Sequence, residues 1–164
     1  LFRLADYFQP KNIIELGTSL GITTCYFSKA VRNSNIVTIE GNPAIAELAN
    51  QSFNKLGTKN ITCKIGSFDK LLKPTLEEIK SIDFMLFDGN HRLVPTLQYF
   101  DEALPFANHN SVFIFDDIYW SEEMKSAWEK IKNHPQVTVT IDLYEMGIVF
   151  FKKGQNKQHF KLRV

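Results

Sequence analysis

Five short apolar runs, each followed by a stretch of helical spacing, restrict this chain's possible folds more than any other feature. The runs are residues 13–16, 36–40, 61–65, 82–87 and 111–115. Strands that read as almost continuous apolar segments are those of a parallel sheet covered on both faces. Between them the spacing predicts helices over 20–32, 43–56, 68–80 (interrupted at Pro74), 93–106 and 121–133, with a helix end at 1–8 before Pro10. Asn42 and Ser121 are suitable caps, Pro43 fits a first helical turn, and Glu122 and Glu123 favour a helix start. Two last strands, 137–143 and 147–152, are separated only by Tyr144, Glu145 and Met146. That is too short for a crossover, so they must pair antiparallel. The expectation is a doubly wound, Rossmann-like α/β sheet of seven strands, mostly parallel and closed by an antiparallel C-terminal hairpin. A length of 164 residues suits one domain spanning 1–164, with a helix end within 1–11 and a basic tail at 153–164.

Ligands of such sheets bind at the carboxyl ends of the strands. The first of these ends is the stretch N-I-I-E-L-G-T-S-L-G-I-T-T at residues 12–24. Gly17 and Gly21 remove side chains where a ligand or helix must approach the backbone. The spacing is G-x-x-x-G with Glu15 two residues ahead, not the G-x-G-x-x-G of a pyrophosphate site. A carboxylate there repels a phosphate and can receive a cationic amine. Glu40 ends the second strand, 25 residues after Glu15, where an acidic side chain can accept both hydroxyls of a ribose.

The E-x-G-x-x-x-G run resembles the first motif of class I S-adenosylmethionine (SAM)-dependent methyltransferases, and the resemblance extends from residue 12 to about 152. It implies a cofactor set of Glu15, Gly17, Thr18, Gly21, Glu40, Gly41, Ser67, Phe68 and Asp88. Within it, Ser67 would bond the adenine edge and Phe68 would cover its face. A helix cap and a core Phe explain that last pair equally well.

The fourth strand runs into F-D-G-N-H-R at 87–92 and the fifth into F-D-D-I at 115–118. Adjacent carboxylates at the end of a buried strand are costly unless something positive binds them. Neighbouring strands would bring Asp88, Asp116 and Asp117 together, an oxygen donor set suited to Mg²⁺, Ca²⁺ or Mn²⁺. D-G-x-H followed by an acidic pair is similar to the metal-dependent small-molecule O-methyltransferases, in the branch of macrolide-sugar methyltransferases and cephalosporin-hydroxylase-like proteins. Asp116 stands where that family commonly has Glu. The resemblance implies Asp88, Asp116 and Asp117 as metal ligands and His91, with Asp88, as catalytic. The function expected is methyl transfer from SAM to a hydroxyl of a small molecule, with a divalent metal assisting. An RNA or protein methyltransferase and a non-catalytic SAM- or nucleoside-binding module stay open beside it.

Composition adds limits. Hydrophobic content of 44% and charged content of 23% are those of an ordinary globule, and the 14 Phe fall largely in strand-like runs. No apolar run approaches the ~18–20 residues of a membrane span, and no signal peptide opens the chain. Leu1 is not a start methionine, so further residues are expected ahead of it. Cys25 and Cys63 lack metal-like spacing and read as reduced core thiols, which points to the cytoplasm. Lys152, Lys153, Lys157, Lys161 and Arg163 crowd the last 13 residues, and the remaining 14 basic residues face 18 acidic ones. The tail is read as a solvated end rather than a nucleic-acid arm. Tyr119 and Trp120 could wall an acceptor, though packing accounts for them. His109, His134 and His159 receive no role, and association of copies is left open.

Overall fold

In a computed structural model, which describes residues 1–163, the chain divides into two compact units, Leu1–Lys80 and the residues from Ser81 onward. The first unit runs α1 (Phe2–Phe8), β1 (Asn12–Leu16), α2 (Ile22–Ala30), β2 (Asn35–Glu40), α3 (Pro43–Lys55), β3 (Ile61–Ile65) and α4 (Phe68–Ile79). Its strands lie in the order β3-β2-β1, all parallel, with Glu15 opposite Thr38 and Glu40 opposite Ile65. Ile13, Ile14, Glu15 and Leu16 are all fully buried, so β1 is covered on both faces, as its apolar run requires. Asn42 caps α3 through its side-chain oxygen, ahead of Pro43 in the first turn.

The interruption expected at Pro74 does not occur. Helix α4 continues through it, held by the buried side chains of Leu72, Thr75 and Leu76. A proline forfeits one hydrogen bond inside a helix, and packing of the apolar face outweighs that loss here.

The second unit runs β4 (Ile82–Phe87), α5 (Leu93–Ala103), a short 3₁₀ turn (Leu104–Phe106), β5 (Ala107–Asp116), α6 (Glu122–Asn133), β6 (Val139–Asp142), β7 (Met146–Phe150) and β8 (Gln158–Lys161). The strand order is β4-β5-β7-β6-β8. The β4–β5 pair is parallel, and β7 runs antiparallel to both β5 and β6, as the three-residue separation dictated. Pro105 belongs to the 3₁₀ turn, so α5 ends earlier than its apolar spacing suggests. Aromatic rings fill this core: Phe87 stacks on Phe115 at 4.3 Å, and Phe100 meets both Phe113 and Phe115 edge-on.

The sheet strands number eight among the described residues, not seven. The extra one, β8, lies in the supposed solvated tail and pairs parallel with β6. All four of its residues are exposed, so it carries no apolar alternation by which a sequence would reveal it. It is held instead by polar bonds. Gln158 N–H donates to Thr138 O at 2.8 Å and Leu162 N–H to Asp142 O at 2.8 Å. The Lys157 ammonium donates to the end carbonyls of α6, including His134 O at 2.9 Å. No helix among the described residues is long and apolar enough to cross a membrane.

Gly147 of β7 packs closely against a neighbouring ring. A Cβ there would stand 2.5 Å from the buried Trp128 ring. Gly147→Ala should therefore cost about 1–3 kcal/mol in urea unfolding through overpacking. Gly41, with open space around the same position, should tolerate Ala within about 0.5 kcal/mol.

Candidate functional site

The glycine turn of the first unit is built around a carboxylate that faces inward. Glu15 is fully buried, and its Oε2 accepts from the hydroxyls of Thr24 at 2.5 Å and Thr38 at 2.6 Å. Thr18, itself buried, shares a 2.6 Å hydroxyl–hydroxyl bond with Thr38. One carboxylate thus ties β1 and β2 to the start of α2, with the turn between them. Glu15 therefore serves as an internal brace of the turn. Its reason is chemical: a carboxylate in a covered strand must find donors, and three threonines supply the network.

The turn itself needs its glycines. Gly17 adopts φ +100° and donates to Ile39 O at 3.0 Å, while Gly21 adopts φ +75° and donates to Thr18 O at 2.8 Å. A Cβ on Gly21 would also lie 2.5 Å from the Phe53 ring. Between them Ser19, at φ +48°, turns its N–H toward Glu40 Oε2 at 2.9 Å. Asn42 N–H donates to Glu40 Oε1, also at 2.9 Å. Both Glu40 oxygens are therefore oriented by backbone, and each retains lone pairs for a further donor. Gly41 follows with open space around it, and Gly66 N–H bonds Glu40 O at 2.9 Å. Ser67 opens α4 exposed and without a side-chain cap bond, and Phe68 beside it is half-buried. Gly17, Thr18, Ser19, Glu40 and Gly41 thus gather at the carboxyl ends of β1 and β2.

Cys63 lies 3.9 Å from the Thr18 hydroxyl, and Cys25 is buried on α2. Both are free, and burial pushes both thiols up. Neither has the depressed pKa of a reactive cysteine.

In the second unit the acidic strand ends do converge. His91 Nε2 stands 3.7 Å from Asp88 Oδ1 and 3.9 Å from Asp117 Oδ2. Burial, and then the charge of Asp116, push the Asp88 carboxyl up to about 6, and in its protonated form it donates to Asp116. Asp116 is raised too, by burial and by the charge of Asp117. Each carboxylate makes ionisation of the other more costly, because like charges held close disfavour the charged form. Asp88, Asp116 and Asp117 offer the hard oxygens that a divalent cation takes, and a cation would remove their mutual repulsion. Among the described residues no three His, Cys, Asp or Glu side chains already form a metal-ligand group.

The D-G-N-H turn is fixed by residues that the motif does not include. Asn90 sits at φ +54°, donates from Nδ2 to the Tyr99 hydroxyl at 3.1 Å and accepts from Arg92 Nε at 3.1 Å. Glu123 of α6 reaches the first turn of α5, where its Oε2 accepts from Leu93 N–H at 2.9 Å. Trp120, expected to pack, is exposed, and Tyr119 bonds Asp142. The one sequence signal for the threonine brace is Thr38 itself, a polar residue inside an otherwise apolar run.

Residues 14–118 match the family model described as "Methyltransferase domain". The chain is 28% identical over 118 residues to a catechol O-methyltransferase of Niastella koreensis, an alignment covering 70% of this chain and 52% of that protein. The chain thus spans about half the length of that curated relative. Among solved structures, the O-methyltransferase TomG from Streptomyces achromogenes, in complex with SAM, superposes with a TM-score of 0.79 at 20% identity, over 92% of this chain and 77% of that one. The SAH-bound Podospora anserina methyltransferase PaMTH1 gives 0.81 at 18% identity, over 93% and 76%. These likenesses fix the fold, and the family match runs from the middle of β1 to the residue after the acidic pair. The chain belongs to the methyltransferase domain family and carries its Rossmann-like α/β fold.

Proposed function

We propose that this chain binds SAM and transfers its methyl group to a hydroxyl oxygen of a small molecule. The observation that carries the cofactor half is Glu40, whose two oxygens are set by the Ser19 and Asn42 amides beside the glycine turn. A carboxylate so held can accept both ribose hydroxyls with little reorganisation. A structural neighbour solved with SAM and a relative named a catechol O-methyltransferase support the same reading.

For the acceptor, the residues of the second unit divide the work. His91, beside Asp88 and Asp117, takes the proton of the acceptor hydroxyl, and the two carboxylates orient the ring. Asp88, Asp116 and Asp117 would hold a divalent cation, which, when bound, lowers the pKa of the hydroxyl. The oxygen then attacks the sulfonium methyl in line, and neutral thioether leaves. No covalent enzyme intermediate is needed, so positioning and exclusion of water supply most of the rate.

Calorimetry with SAM tests the cofactor half. The parent should bind, and Glu40→Ala should weaken binding at least tenfold, from the loss of charge-assisted bonds of about 1.5–3 kcal/mol each. Unchanged affinity in Glu40→Ala, or a parent that ignores SAM, removes the reading. For the acceptor half, a panel of catechols and sugar hydroxyls should yield turnover that EDTA suppresses and Mg²⁺ restores. His91→Ala should then cost roughly 10²–10⁴ in rate. Turnover that ignores EDTA and survives both His91→Ala and Asp117→Ala would leave these residues structural.

The strained pair also sets a pH dependence. Folded Asp88 keeps its proton up to about 6, whereas an unfolded chain releases it near the ordinary value of 3.8. Stability is therefore lost as pH rises through that window. Asp88→Asn removes the loss, so in EDTA the variant's advantage over the parent should grow between about pH 4 and 6 and stay constant above. Urea unfolding at several pH values reads this directly, and a difference independent of pH would contradict it.

A further inference from the structure

Asp117 stands in the left-handed region at φ +54° with its side chain 41% exposed, and its nearest ion-pair partner is His91 at 3.9 Å. Such a conformation is held by neighbours rather than by the residue itself. The holding contacts follow in the next three residues. Trp120 N–H closes the turn onto Asp117 O at 2.9 Å, and the fully buried Ile118 donates its N–H to Glu145 O at 3.3 Å. Between them Tyr119 donates its hydroxyl to Asp142 Oδ2 at 2.6 Å. The same hydroxyl accepts from Lys161 Nζ at 3.2 Å, and that ammonium also lies 4.9 Å over the Tyr119 ring.

Asp142 is a firm anchor. It is buried, its other oxygen accepts from Tyr144 N–H at 2.9 Å, and Tyr144 stacks on Tyr119 with ring centres 5.4 Å apart. Burial alone would push the Asp142 carboxyl up. The bonds from Tyr119 and Tyr144 and the charge of Lys161 outweigh burial and hold it below its usual value. Lys161 reaches this point because β8 pairs with β6 in the register that sets Lys161 opposite Asp142. The polar eighth strand therefore delivers a cation to a tyrosine two residues from Asp117.

We propose that Tyr119, clamped between Asp142 of β6 and Lys161 of β8, is a positioning residue that holds the 117–120 turn so that the Asp117 carboxylate stays directed at His91. The role rests on the proposed use of His91 and Asp117 at the acceptor hydroxyl. It assigns a task to the C-terminal strand, which otherwise only extends the sheet. Tyr119 touches no reacting atom in this scheme. It acts through the turn.

The test joins amide hydrogen exchange to kinetics, in Tyr119→Phe, Lys161→Met and Lys161→Arg. In the first two, exchange at Ile118 and Trp120 should accelerate about tenfold while amides of β5 such as Phe113 keep their rates, the signature of a local opening. Lys161→Arg keeps a donor and a cation for the ring and should restore slow exchange. With an acceptor that the parent methylates, kcat should fall at least about tenfold in the first two variants, as misplacement of an orienting group does. KM for SAM should stay within about twofold, because the cofactor residues are untouched. Unchanged exchange at Ile118 and Trp120 in both variants overturns the proposal. Faster exchange with unchanged kcat overturns it as well, since the contact would then be packing alone. A parent that transfers no methyl group sinks the functional reading instead, and the exchange rates still decide whether Tyr119 holds the turn.

Discussion

A carboxylate buried at the end of a strand is the constraint on which the first unit depends. Glu15 has no exposure to solvent, and a charge in that position is tolerated only if donors surround it. Thr24 and Thr38 supply two, and Thr18 extends the chain of hydroxyls through Thr38. Each donor comes from a different piece: the following helix, the neighbouring strand and the turn. The carboxylate therefore fixes the three relative to one another, and the turn's amides are aimed as a result. That leaves Ser19 N–H on Glu40, the residue proposed to meet the ribose.

Carboxylates recur at the strand ends of the second unit, with two different outcomes. Asp142 is buried and fully provided for, by Tyr119, Tyr144 and Lys161, and sits below its ordinary pKa. Asp88 and Asp116 have each other, His91 and, for Asp116, the Asp117 backbone, yet burial and neighbouring carboxylates still hold both above it. The groups given side-chain donors, Glu15 at its Oε2 and Asp142, brace turns. The strained pair is where a cation or an acceptor proton would bring relief, which is how functional carboxylates commonly differ from structural ones. Glu15 and Asp142 are buried whereas Asp88 and Asp116 are only partly so, and exposure together with the supply of donors separates the roles.

Much of this was readable in the chain. The apolar runs gave β1 to β4 within a residue and the buried part of β5, because a strand covered on both faces must be apolar throughout, whereas the first four residues of β5 are not buried and escaped. The short separation at Tyr144 to Met146 forced the antiparallel pairing. Gly17 and Gly21 pointed to the turn, and the D-G-N-H and D-D pairs pointed to His91, Asp88, Asp116 and Asp117. What escaped has physical causes. Strand β8 is polar and exposed, so backbone bonds and Lys157 hold it where no hydrophobic pattern could show. Pro74 should have broken α4, and tertiary packing overrode it. The inward direction of Glu15 could not be seen because its donors, Thr24 and Thr38, are 9 and 23 positions away. Motifs name the residues that meet a ligand. The hydroxyls that aim those residues look, in sequence, like any other threonine.

The central claim is that the cofactor turn is set from inside, by the Glu15–threonine network. Thr38→Val tests it most directly, because the change removes one buried hydroxyl, preserves shape, and touches nothing that a cofactor could reach. The measurement is the dissociation constant for SAM in parent and variant under identical conditions. The account predicts affinity weakened by about tenfold or more, because the turn that aims Ser19 N–H at Glu40 loses a buried bond and its preorganisation with it. An unchanged dissociation constant in a folded variant would contradict it, and Glu15 would then be a core residue with no hold on the site.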